Sequence, residues 1–82
     1  MKYQVRLTVI ESRCRCGLHK EGEEFVVGDT CPPVCHELWN NVYPMVYALG
    51  NGAELDSDED RAVSFDARCP DEGRVLVKGE RI

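Results

Sequence analysis

No run of apolar residues in this chain of 82 approaches the roughly 20 needed to cross a bilayer. The opening Met1-Lys2-Tyr3-Gln4-Val5-Arg6 is too polar for the core of a signal peptide. Both absences predict a cytoplasmic protein with no membrane contact. Positive charge is also scarce: 10 lysines and arginines stand against 15 acids, a net charge of -5 that opposes binding to a phosphate backbone or to anionic lipid. Nucleic acid is therefore not an expected partner. The chain has no glycine-rich phosphate loop, no Walker-type lysine and no Ser-His-Asp order, which excludes the common nucleotide enzymes and serine hydrolases.

Length sets a further bound, because a chain this short cannot divide its apolar residues between two cores. One domain is expected over residues 1–82. With 43% hydrophobic residues and mixed charge it falls among globular domains, near the size at which a metal or cross-link helps without being obligatory.

What the sequence does have is sulfur. Five cysteines occur as Cys14-x-Cys16-x2-His19, then Cys31-x3-Cys35, then Cys69 alone. Bunched thiols beside a histidine suggest metal ligation, thiol redox chemistry or a disulfide frame before they suggest packing. An odd number cannot pair completely within one chain, and a reducing cytoplasm disfavours disulfides, so metal and redox chemistry lead.

The alternation of Tyr3, Val5, Leu7 and Val9 with polar residues marks a first strand that ends near Glu11. Ser12 to Glu23 is polar and glycine-bearing, a loop that carries Cys14, Cys16 and His19 to a short strand at Glu24 to Val27. Pro32-Pro33 then suits a helix start, and Val34, Leu38, Val42, Met45 and Leu49 share one face at 100° per residue. Pro44 predicts a kink or break near Asn41 to Tyr43, and Gly50-Asn51-Gly52 a helix end. The acidic Glu54 to Asp60 reads as a solvated loop. It fails as a calcium loop because Arg61 and Ala67 stand where glycine and glutamate are required. Val63 to Cys69 and Arg74 to Lys78 form a hairpin across Pro70-Asp71-Glu72-Gly73. The expected fold is α+β, in the order β-β-α-β-β, with one antiparallel sheet covered on one face by a single Pro-kinked helix.

In that layout Cys14, Cys16 and His19 sit on a loop, Cys31 and Cys35 bracket the helix start, and Cys69 ends a strand. Three segments could meet at one edge of the sheet. Three thiolates and an imidazole suit Zn2+, and soft thiolates also suit an iron-sulfur cluster. As the third helical residue, Cys35 would have its thiolate favoured by the helix dipole, whereas His36 faces solvent. The alternatives are a metal-free thiol redox or cysteine-nucleophile module, and a protein-interaction module whose cysteines merely pack. Catalysis is not the first expectation, because so small a domain offers little wall for a substrate pocket. An unknown protein or small molecule remains the expected partner.

Motifs spread over nearly the whole chain carry a resemblance. Lys2-Tyr3-Gln4-Val5, Cys16, His19-Lys20-Glu21-Gly22-Glu23-Glu24-Phe25, Cys35, Tyr43-Pro44-Met45-Val46-Tyr47-Ala48-Leu49 and Cys69-Pro70-Asp71 are its elements. The chain resembles a family of small prokaryotic proteins of roughly 90 residues, one to which no activity is assigned. The resemblance implies a single domain and a core set of Cys16, His19, Cys35 and Cys69, with Cys14 and Cys31 as additions. Leu18 and Pro33-Val34 depart from the family pattern on either side of that set.

Trp39 falls at the margin of the helix's apolar face, where an aromatic ring on a small domain marks a candidate homodimer surface. The polar face, with Glu37, Asn40 and Asn41, is expected to tolerate substitution.

Overall fold

The computed structural model describes residues 1–56 and 60–82. Strand β1 (Val5–Ser12) pairs with β2 (Glu24–Val27) on one side and with β6 (Val75–Arg81) on the other. Strand β5 (Ser64–Arg68) completes a fully antiparallel sheet in the order β2-β1-β6-β5. The one helix, α1 (His36–Gly50), lies between β2 and the later strands in sequence and covers one face of this sheet. No helix among the described residues is long and apolar enough to cross a membrane.

The core follows from two periodicities meeting. Val5, Leu7 and Val9 alternate inward along β1, and Val75 and Val77 do so along β6. Opposite them α1 buries Leu38, Val42, Val46 and Leu49. This stripe centres near Val42 and extends to Val46 on one side, so Met45, on the other side, is only half-buried. Trp39 is half-buried with its ring 5.1 Å from that of Tyr43.

The helix departs from expectation at its start. It begins at His36, with Cys35 as N-cap in an extended conformation, so Cys35 is not the third helical residue. The first helical bond runs from the Trp39 N–H to the Cys35 carbonyl. The helix also runs unbroken through Pro44. Proline removes the bond to the carbonyl four residues back, but Asn40 and Pro44 are both exposed, so water can take that carbonyl. Asn41, expected to be free on the polar face, donates through Nδ2 to the Arg68 carbonyl at 2.9 Å and ties α1 to the end of β5.

The described residues at the two ends of the acidic stretch are paired. Strand β3 (Leu55–Asp56) pairs with β4 (Arg61–Ala62) in a two-stranded hairpin, and Arg61 reaches the Glu54 carbonyl and Asp56. The part of the expected loop at positions 57–59 lies outside the described residues.

One irregularity in β1 positions the site. Register shifts between Val9 and Glu11, a β-bulge that inserts Ile10, so Ser12 pairs with Val75 and shares its helix-facing side. Strict alternation from Val5 would have turned Ser12 outward.

Replacing Leu38 by alanine should lower stability by about 2 to 5 kcal/mol, and Asn40→Ala by no more than about 0.5 kcal/mol, in denaturant unfolding. Gly79→Ala should cost about 1 to 3 kcal/mol, because the Phe65 ring already occupies the space a Cβ would take.

Candidate functional site

The bulge delivers Ser12 to the inner face, and Ser12 organises the loop that follows. Its hydroxyl donates to the His19 carbonyl at 2.6 Å and accepts the Cys14 N–H at 3.3 Å. The loop is further tied down by the Arg13 N–H on the Arg74 carbonyl and the Gly22 N–H on the Val9 carbonyl. Gly17, at φ +65°, closes a turn in which its N–H meets the Cys14 carbonyl at 3.2 Å. That turn folds backbone N–H groups toward the Cys14 sulfur.

The Cys14 thiol is accordingly held below the ordinary thiol range. The Leu18 backbone N–H is the main cause, aided by those of Cys16, His19 and Gly17, while burial works in the opposite direction. Cys14 is half-buried against the core, whereas Cys16 is exposed. The inward thiol of this loop is therefore Cys14, which the sequence motifs treat as an addition. The signal that could have identified it was the Cys14-x2-Gly17 spacing of a turn.

His19 is only 4% exposed. Its Nε2 accepts the Cys35 N–H at 3.1 Å, its Nδ1 lies 3.5 Å from Glu23 Oε1, and its ring stands edge-on to Phe25. Nδ1 is buried without a hydrogen-bond partner, with the Glu23 carboxylate beside it.

Cys69 leaves β5 just ahead of the turn to β6 and is 9% exposed. The Val75 N–H points at its sulfur at 3.4 Å, and Gly73, at φ +64°, donates to its carbonyl. Loop, helix start and hairpin turn thus surround a cavity of about 60 Å3 walled by Cys14, Cys16, His19, Cys35 and Cys69, with Leu38 and Val75 as apolar walls. Arg15 bridges from the loop to Asp71 at 3.1 Å, and Arg74 pairs with Glu72 at 2.9 Å, so two guanidinium groups flank the cavity.

Cys31 does not join this group. It is exposed and lines a separate groove with Met1, Asp29, Trp39, Tyr43 and Tyr47. A wide groove of about 820 Å3 beside Phe65 and Lys78 has no cysteine or histidine in its walls. Among the described residues, no three His, Cys, Asp or Glu side chains stand preassembled as a metal-ligand set. The chain matches no family model, no curated protein and no solved structure.

Because the fold favours the Cys14 thiolate, this residue adds stability above the unfolded thiol pKa, and the contribution is lost as pH falls through its lower folded value. Site-resolved alkylation of Cys14 in the folded protein should titrate below the unperturbed thiol value of about 8.5. A midpoint at or above that value would contradict the N–H cradle.

Proposed function

We propose that this protein binds one soft transition-metal ion through its cysteine pocket, in a structural or redox role. The observation that carries the reading is the convergence of Cys14, Cys35 and Cys69 from three separate elements on one small cavity. A cradle of backbone N–H groups favours the Cys14 thiolate there against the opposing effect of burial, and two ion-paired arginines flank the cavity. A cavity of about 60 Å3 suits a single ion such as Zn2+ better than an iron-sulfur cluster, whose several iron and sulfur atoms need more room. Binding requires the thiols to rotate toward a common centre, a side-chain motion that leaves the fold intact.

A second reading is supported by Cys14 itself: a metal-free thiol module in which the lowered thiol attacks a disulfide. Either chemistry suits the reducing cytoplasm and membership of the small prokaryotic family described above. We place the partner among proteins and small thiol-reactive molecules, with the Trp39 face as a self-association surface.

Protein purified without oxygen should carry about one equivalent of a colourless metal per chain. Cys35→Ser and Cys69→Ser should each release it, and acidification should do the same, since thiolate ligands must stay deprotonated. Metal-free protein whose five thiols all react freely while folded would overturn this reading in favour of the redox module or of simple packing.

A further inference from the structure

We propose that the donor set of the pocket is sulfur alone, from Cys14, Cys35 and Cys69, and that His19 stands outside it as the residue that positions Cys35. The inference rests on the metal reading above. An imidazole can ligate only through a nitrogen with a free lone pair. The Nε2 lone pair is occupied by the Cys35 N–H at 3.1 Å, which leaves the proton on Nδ1, 3.5 Å from Glu23 Oε1. Nδ1 carries that proton without a hydrogen-bond partner, so the one nitrogen with a lone pair is the one already taken. A metal-bound histidine commonly shows one nitrogen to the ion and the other to a carboxylate. Here the Glu23 carboxylate stands beside Nδ1 without hydrogen-bonding it, and the opposite nitrogen faces a backbone amide.

Turning Nε2 to an ion would also strip the Cys35 N–H of its acceptor at the helix start, in a half-buried position. His19 therefore does more for the site by fixing Cys35 than by joining it. The three sulfurs each have their own donor or positive potential: the N–H cradle for Cys14, the Val75 N–H for Cys69 and the start of α1 for Cys35. Three thiolates without an imidazole favour thiophilic d10 ions, such as Cu+, Zn2+ or Cd2+, and leave the fourth position of a tetrahedral ion open at the mouth beside Cys16.

The test uses the full chain loaded with 113Cd2+ and 15N-labelled histidine. The expected result is one Cd2+ per chain with a sulfur-to-cadmium charge-transfer band, no 113Cd–15N coupling, and a His19 spectrum of the Nδ1–H tautomer. Cys14→Ser, Cys35→Ser and Cys69→Ser should each cut the saturated band by about one third, as expected for three equivalent sulfur donors. His19→Gln, which keeps an acceptor for the Cys35 N–H, should bind as the wild type does. His19→Ala should bind roughly 10- to 100-fold more weakly with the same saturated band, as for a residue that supports a ligand. Coupling of cadmium to His19, or a band untouched by Cys14→Ser, overturns the sulfur-only set while leaving a metal site in place. No charge-transfer band in the wild type overturns both readings. The coupling measurement needs no variant, so it decides the question even if His19→Ala fails to fold.

Discussion

The hydrogen bond from the Cys35 N–H to His19 Nε2 joins the loop after β1 to the first residue before α1, and the cysteine pocket depends on that joint. Sixteen positions of sequence separate the two residues. Without the bond, the loop bearing Cys14 would be held by Ser12, by the Arg13 N–H on the Arg74 carbonyl and by the Arg15–Asp71 pair, and Cys35 would have no fixed relation to it. Its placement explains why a histidine is buried in so small a domain: a buried polar group is retained when its partners are satisfied, and here it satisfies a helix-start N–H that no side chain of the helix reaches.

The sheet supplies the geometry that makes this joint possible. A regular β1 would have sent Ser12 to the open face, and the loop would have left the sheet on the wrong side. The bulge at Ile10 reverses that parity and aims the loop under the start of α1, beside the hairpin turn that holds Cys69. Arg15, paired with Asp71, then spans the same two segments from outside. Packing, register and charge thus act on one corner of the molecule, while the opposite groove by Trp39 has only Cys31.

Much of this was legible in the sequence, where period-two alternation gave the sheet strands and the Glu24 to Val27 strand to the residue. The single helix over an antiparallel sheet followed from the same patterns. The helix start was not legible, because Pro32-Pro33 is as compatible with a turn as with a first helical position, and the deciding contact comes from His19, far away in the chain. Pro44 left a kink and a break both open because sequence alone does not show that the freed carbonyl faces water. Among the site residues, Cys35, Cys69 and His19 stand at the cavity, but spacing could not separate Cys14 from Cys16. Neighbours two apart differ in burial through the φ +65° turn at Gly17, a feature of backbone conformation that motif comparison passes over.

The central claim is that thiols from three elements act as one site. Alkylation of each cysteine in the folded protein, mapped by mass spectrometry with Zn2+ bound and after chelation, tests it most directly. The account predicts that Zn2+ slows Cys14, Cys35 and Cys69 together and leaves Cys31 unchanged. Equal rates with and without Zn2+ at those three positions, or protection that falls on Cys31, would contradict it.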